Sequence, residues 1–183
     1  MSTPTPIRTT LIIGSTREGR FGPTVAEWFT GPAARHAGIE LEVIDLVDTE
    51  IPSATFTEQI GRADAVVVVT PEYNHSFPGP LKTAIDSVRE QWAAKPVGFV
   101  SYGGVSGGLR AVEALRTVFA ELHAVSIRET VSLAQYWELF DGEGQLKDPT
   151  GPDAAAVALL EQLLWWAHAL RDARGVRPYG VAA

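Results

Sequence analysis

Cysteine is absent from this chain, so no disulfide framework, thiolate nucleophile or Cys-ligated zinc site can form. Positive charge is scarce: 15 Lys and Arg stand against 22 Asp and Glu, a formal net charge of -7 with an isoelectric point near 5.1. An acidic surface offers no footprint for nucleic acid or an anionic membrane, yet leaves room for a local basic pocket that takes a phosphate. Long apolar runs are missing too; none approaches the ~20 residues that cross a bilayer. The stretch from Met1 to Pro6 is polar and short, without the apolar segment of a signal peptide. These absences lead us to expect a soluble cytoplasmic protein with no nucleic-acid or membrane partner.

What is present suits one compact domain. The 183 residues are 45% hydrophobic and 20% charged, enough to build a sizeable core. We expect a single domain over 1–183, with a flexible N-terminus at 1–6 and a C-terminal tail at 175–183. Elements alternate along the chain. Strand-like runs occur at Thr9 to Ile13, Leu41 to Leu46, Ala65 to Thr70, Val97 to Val100 and Val125 to Val131. Helices are expected from Pro23 (interrupted or ended at Gly31-Pro32), around Glu58 to Ala63, from Pro80 through Leu81, Ile85, Val88 and Trp92, at Leu109 to Leu122, and at Asp153 to Arg174. Leu133 to Pro149 reads as a long connection. Strands separated by helices imply an α/β fold, a parallel sheet covered on both faces. Such sheets bind ligands beyond the carboxyl ends of their strands, where strand order reverses. The loops after strands one, three and four are therefore expected to hold a site.

Those three loops are chemically unusual. The first, Gly14-Ser15-Thr16-Arg17-Glu18-Gly19-Arg20-Phe21-Gly22-Pro23-Thr24, places glycines, hydroxyls and two arginines ahead of a helix N-terminus. Backbone N–H groups, the helix dipole and guanidinium forks all favour an anion there. It is neither a Walker A loop nor a G-x-G-x-x-G loop; a solvated surface turn is the plainer alternative. The second, Pro71-Glu72-Tyr73-Asn74-His75-Ser76-Phe77-Pro78-Gly79-Pro80-Leu81-Lys82, is stiffened by three prolines and suits the edge of a planar heterocycle. Its aromatics packing into the core is the alternative. The third, Ser101-Tyr102-Gly103-Gly104-Val105-Ser106-Gly107-Gly108-Leu109-Arg110, has four glycines that let a backbone approach a ligand closely.

Taken together, GSTREGRFG at 14–22, PEYNHSFPGPLKTAID at 71–86 and SYGGVSGGLRA at 101–111 resemble the NADPH-dependent FMN reductase family, which includes quinone, azo-dye and chromate reductases. The resemblance covers nearly the whole chain, and the second segment is its most specific part. It implies a flavodoxin-like three-layer sandwich with a five-stranded parallel sheet of order 2-1-3-4-5. It implies FMN as cofactor, NADPH or NADH as co-substrate, and a small-molecule acceptor (free flavin, quinone, azo compound or metal oxyanion) reduced in ping-pong turnover. By resemblance the FMN phosphate falls to Ser15, Arg17 and Thr24, with Arg20 and Phe21, Gly22 and Pro23 nearby. The ring and ribityl chain fall to Pro71, Glu72, Tyr73, Asn74 and Ser76, and the ring's other border to Ser101, Tyr102, Gly103 and Gly104. No side chain is assigned a catalytic role, because the cofactor carries the chemistry. This chain departs from many relatives in placing Arg20-Phe21-Gly22-Pro23 where they carry Ser or Asn.

Two other readings compete. Gly104-Val105-Ser106-Gly107-Gly108 satisfies G-x-S-x-G, and Asp141 and His168 follow in α/β-hydrolase order, although His168 sits among Trp165, Trp166, Ala167 and Leu170 in an expected helix. A non-enzymatic flavodoxin-like electron carrier would share the fold. His36, His75 and His123 show no mutual ligand spacing, so no metal is expected. Phe77, Trp92, Tyr136, Trp137, Trp165 and Trp166 are more large aromatics than one small core readily holds, and aromatics are enriched at interfaces. We therefore expect a homodimer or homotetramer with the second loop near the partner.

Overall fold

The computed structural model describes residues 5–180, so most of the expected flexible N-terminus and the last three residues of the expected tail lie outside the described residues. In chain order the elements are β1 (Ile7–Ile13), α1 (Gly22–Ala34), β2 (Ile39–Asp45), α2 (Ala54–Arg62), β3 (Ala65–Pro71), α3 (Gly79–Asp86), β4 (Pro96–Gly103), α4 (Leu109–Glu121), β5 (Val125–Ala134), α5 (Tyr136–Leu139) and α6 (Thr150–Val176). All neighbouring strands pair in parallel in the order β2-β1-β3-β4-β5. This is the expected flavodoxin-like sheet.

Strand composition follows position in the sheet. Every residue of β3 (AVVVVTP) and β4 (PVGFVSYG) is buried, as a central strand covered on both faces requires. Alternate residues feed opposite layers. Leu11, Val67, Val69 and Val100 join Val25 and Phe29 of α1 and Leu159 and Leu163 of α6 on one face. Ile12, Val66, Val68 and Phe99 join Phe56 of α2, Ile85 of α3 and Leu115 of α4 on the other. The crossover from β1 to β2 and the one from β1's other neighbour, β3, to β4 run in opposite directions. The crevice between the ends of β1 and β3 is therefore the switch point.

Three local expectations change. Gly31-Pro32 does not break α1, which runs to Ala34. Pro32 forfeits one N–H near the helix end, and its usual clash with the preceding Cβ cannot arise because residue 31 is glycine. The buried Phe29, Pro32 and Ala33 hold the last turn against the sheet. The helix from Pro80 does not reach Trp92: α3 stops at Asp86, and Glu90–Trp92 form a separate 3-10 turn. Trp92 is buried all the same, and its indole N–H donates at 3.0 Å to the carbonyl of Ile85 in the last turn of α3. Finally, the connection after β5 is not featureless, since it carries α5 and a short bridge between Phe140 and Leu146, and α6 continues two residues past Arg174.

Candidate functional site

The loop after β1 is shaped by close packing. A Cβ on Gly22 would lie 2.9 Å from Cγ2 of Ile13 and 3.1 Å from the Tyr102 hydroxyl, so only glycine lets α1 start this near the sheet. Phe21 stands at the N-cap position, Pro23 falls in the first turn, and no side chain caps the helix. Its first N–H groups therefore remain open to an anion. Ser15 is fully buried, with its Oγ 2.6 Å from the hydroxyl of Tyr73. The guanidinium carbon of Arg17 sits 3.5 Å from the centre of the Tyr73 ring, a cation–π contact. Arg20 is not a solvated side chain. Its two terminal nitrogens each donate at 2.8 Å to the carboxylate of Asp45 at the end of β2, and Nη1 also reaches the carbonyl of Ser15 at 3.2 Å.

The loop after β3 makes a tight turn. Tyr73 and Ser76 exchange backbone hydrogen bonds of 2.9 and 3.0 Å, with Asn74 (φ 51°) and His75 (φ 66°) both left-handed between them. Two positive φ values are the mark of a type I′ turn, a twist that matches a tight hairpin. It points Tyr73 back across the switch point toward Ser15.

The loop after β4 is locked by Glu72. That carboxylate is 8% exposed and accepts from the Ser106 hydroxyl at 2.5 Å, the Arg110 backbone N–H at 3.2 Å and the Arg110 guanidinium at 2.6 Å. Burial alone pushes its pKa up, but the Ser106 bond, the Arg110 N–H and the Arg110 charge together hold it below the usual carboxylate range. Ser101 is buried and donates to the carbonyl of Gly107 at 2.8 Å. Gly108 lies against it with φ 87°, where a Cβ would come within 2.7 Å of the Ser101 Cβ. Burial, with Tyr73 and Tyr136 nearby, pushes the Tyr102 phenol well above its usual range, so it remains a proton donor.

This network overturns the hydrolase reading. Ser106 donates to the Glu72 carboxylate, Asp141 accepts from the backbone N–H groups of Glu143 and Gln145 at 2.9 Å, and His168 meets Arg171 at 3.2 Å within α6. The triad needs an imidazole at its serine, whereas Ser106 donates to the Glu72 carboxylate and His168 pairs with Arg171 inside α6.

The three loops enclose a cleft of about 340 Å³ at the switch point. Of the residues singled out from sequence, Arg17, Arg20, Phe21, Pro71, Glu72, Tyr73, Tyr102, Gly103 and Gly104 line it. Ser15, Gly22, Pro23, Thr24, Asn74, Ser76 and Ser101 are not among the lining residues; Ser15 and Ser101 brace it from behind, and the Thr24 methyl faces Gly144. Sequence reasoning missed four lining residues: Glu18, Gly19, Tyr136 and Trp137. Tyr136 packs on Phe21 with ring centres 4.7 Å apart, and Trp137 is 55% exposed beside it. Both follow β5 at the carboxyl edge of the sheet, the signal that should have drawn attention to them. The six aromatics thought to exceed the core divide otherwise than expected, because Trp92 is fully buried and only Trp137 and Trp165 are well exposed.

An open parallel sheet of this order, with a cleft at its switch point beside an uncapped helix start, belongs to the flavodoxin-like class. Comparison with known proteins narrows the class. A family profile for NADPH-dependent FMN reductases matches residues 7–138. A quinone reductase of Pseudomonas putida is 34% identical over 160 residues, covering 78% of this chain and 86% of that one. An NAD(P)H-dependent FMN reductase of Schizosaccharomyces pombe is 33% identical over 117 residues, covering 54% of this chain and 58% of that one. In fold, the flavoenzyme NAD(P)H:(acceptor) oxidoreductase FerB from Paracoccus denitrificans superposes with a TM-score of 0.70 at 19% identity, over 88% of this chain and 98% of its own. The chain belongs to the NADPH-dependent FMN reductase family. It is an oxidoreductase rather than a non-enzymatic carrier, with FMN as cofactor and a reduced nicotinamide nucleotide as reductant.

The residues present fit that cofactor. Among the described residues, the backbone N–H groups of Thr16 to Gly19 donate to no protein acceptor, and they lie beside Arg17 and the uncapped start of α1. Such a donor set suits a phosphate dianion. Opposite it, Gly103 packs against Gly107 and Gly108, while Gly104 lines the cleft with Tyr73, Tyr102 and Trp137. No helix among the described residues is long and apolar enough to cross a membrane.

Proposed function

We propose that this protein takes electrons from NADPH or NADH and passes them to a small planar acceptor, a quinone in the first instance, in ping-pong turnover. The observation that carries this reading is the meeting of Arg17, the uncapped α1 start and a glycine-and-aromatic wall in one cleft at the switch point. Arg17 and the amides of 16–19, with Ser15 and Thr24 behind them, would hold the FMN phosphate; Arg20 shapes the loop by its grip on Asp45. Pro71 to Asn74, Ser76 and Ser101 to Gly104 would border the ring and ribityl chain. Bound FMN supplies hydride acceptance from nicotinamide and reducing equivalents for the acceptor.

The chain's own residues position and shield. Glu72, pinned by Ser106 and Arg110, keeps the second and third loops in fixed relation. Tyr136 and Trp137 offer an apolar face on which nicotinamide and acceptor stack in succession, the arrangement ping-pong kinetics needs. The names of relatives that reduce quinones support that acceptor. Steady-state NADPH oxidation with a benzoquinone, varied against both substrates, should give parallel double-reciprocal lines. Converging lines would show that both substrates bind at once and defeat the single-face reading.

The assembly we propose is a homodimer or homotetramer in the cytoplasm. Trp165, 65% exposed and outside the cleft, supports it, since aromatics are enriched at interfaces. Light scattering at the 19.7 kDa monomer mass at micromolar concentration would defeat it.

A further inference from the structure

A second cavity, of about 430 Å³, opens at the other end of the molecule, between the starts of β4 and β5 and the last turns of α6. At ~3.3 Å per residue the two ends of β4 stand roughly 25 Å apart, so the cavity is remote from the flavin cleft. Its walls divide chemically. Val125, Leu170 and Pro178 are apolar, whereas Arg174, Arg177 and His123 present nitrogen donors. The His123 Nδ1 and the Tyr179 hydroxyl lie 3.0 Å apart at the rim.

Charge behind this cavity is unbalanced. Asp64 is 4% exposed and is approached by Arg8 at 3.4 Å, Arg171 at 3.7 Å and Arg174 at 3.8 Å. Lys95, also buried, donates to the carbonyls of Ile60 and Gly61 at the end of α2. Three arginines thus gather about one carboxylate, with Lys95 beside them, in a chain whose formal net charge is -7. Arg177 adds a further guanidinium that has no ion pair among the described residues. The backbone is strained at the same place. Ala94 (φ 54°) and His123 (φ 59°) both line the cavity in the left-handed region, joined by a 2.9 Å bond from the Ala94 N–H to the His123 carbonyl. Left-handed residues other than glycine persist where the surroundings force them, and they gather at ligand sites. Arg174 is held there by donating to the carbonyl of that same Ala94.

We propose that this cavity binds a small organic anion, its carboxylate taken by Arg177 and Arg174 and its apolar body by Val125, Leu170 and Pro178. Two guanidiniums in a recess with an apolar wall select a carboxylate on a hydrocarbon frame over either a bare inorganic ion or a neutral molecule. None of these residues has a part in the flavin cleft, so the site is a regulatory or accessory one.

Calorimetric titration of the FMN-loaded protein with 4-phenylbutyrate and its neutral amide tests this, with the visible flavin spectrum recorded alongside. We expect saturable binding of the carboxylate, binding of the amide weaker by about tenfold or more, and flavin bands that do not move. Arg177→Ala should weaken the carboxylate about tenfold and leave NADPH oxidation unchanged; Arg174→Lys should weaken it in the same sense while keeping the buried charge. No saturable binding at millimolar ligand, equal affinity for the amide, or binding that shifts the flavin bands and ignores Arg177→Ala would each overturn the proposal.

Discussion

The hydroxyls of Ser15 and Tyr73 lie 2.6 Å apart, so the loops after β1 and β3 share a hydrogen bond across the switch point although 58 residues separate them in sequence. The guanidinium carbon of Arg17 sits 3.5 Å from the centre of the same tyrosine ring, so Tyr73 ties the loop after β1 to the loop after β3 twice. Tyr73→Phe keeps the ring and removes the bond. It should lower stability by about 1 kcal/mol, read as a shift in the urea midpoint of the FMN-free protein. An unchanged midpoint would mean that the two loops are held together by packing alone.

In the proposed reading Arg17 holds the phosphate. FMN ends in a near-dianion, and the acidic chain provides an unfavourable background field. A charge-assisted bond from Arg17 contributes about 1.5–3 kcal/mol, so Arg17→Ala should weaken FMN about 10- to 100-fold. Riboflavin lacks the phosphate, and its affinity should hardly change. Fluorescence titration with both flavins decides it; equal losses, or none, would reassign Arg17 to a structural role through Tyr73.

Arg20 differs from Arg17 in what it already holds. Its guanidinium and the Asp45 carboxylate are 14% and 19% exposed and meet through two parallel bonds. Arg20→Ala should destabilise the FMN-free protein by about 1–3 kcal/mol. Adding Asp45→Ala should recover part of that loss, because the stranded carboxylate is then gone. A double-mutant cycle in urea with no coupling between the two residues would contradict the pairing.

Ser106 is a brace for Glu72 and not a nucleophile. Ser106→Ala should leave NADPH oxidation within about fewfold of the parent and produce no change in ester hydrolysis, whereas loss of a true nucleophile costs about 10³-fold or more. It should also change acid tolerance. Glu72 titrates below the usual 4.5, so its stabilisation is present above that value and is lost as pH falls through the depressed one. Removing the Ser106 bond raises the Glu72 pKa, and the variant should unfold at a higher pH than the parent in an acid titration followed by circular dichroism.

Lys95 is depressed as well, but there the shift records a cost to the folded state. Burial first, and then Arg174 and Arg8 against the attraction of Asp64, lower its pKa from 10.5 to about 7. Between about 7 and 10.5 the unfolded chain binds the Lys95 proton and the folded chain does not. Stability from this group therefore rises with pH across that window, and below it the folded state bears the full penalty of a buried charge. Lys95→Met should flatten the rise in urea midpoint between pH 7.5 and 9.5 relative to the parent. Identical pH slopes for the two proteins would show that Lys95 keeps its ordinary pKa.

Much of the architecture is readable along the chain. Ala65 to Thr70 is buried from end to end because a run of β-branched residues without alternation suits only a strand covered on both faces. The Gly22-Pro23 helix start and the glycine loop at 103–108 were visible for the same reason: their conformational demands fall on the residues themselves. Less readable was the end of α3, where spacing continues through Val88 and Trp92 but the backbone turns away. Periodicity reports burial, and Trp92 is buried whether or not a helix carries it there.

The order of residues by itself determined the alternation of strands and helices, the three unusual loops and an acidic chain without thiols, since each depends on contacts or charges local to a few residues. Only the tertiary structure decided which loop residues meet: Ser15 with Tyr73, Arg20 with Asp45, Glu72 with Ser106 and Arg110, and Tyr136 and Trp137 as a fourth wall. Those pairs come from the carboxyl ends of different strands and the loops beyond them, and strand order and register bring them to one edge of the sheet. A hydrogen bond falls off within an ångström of its ideal length, so partners 25 to 58 residues apart exist as partners only after the sheet has formed.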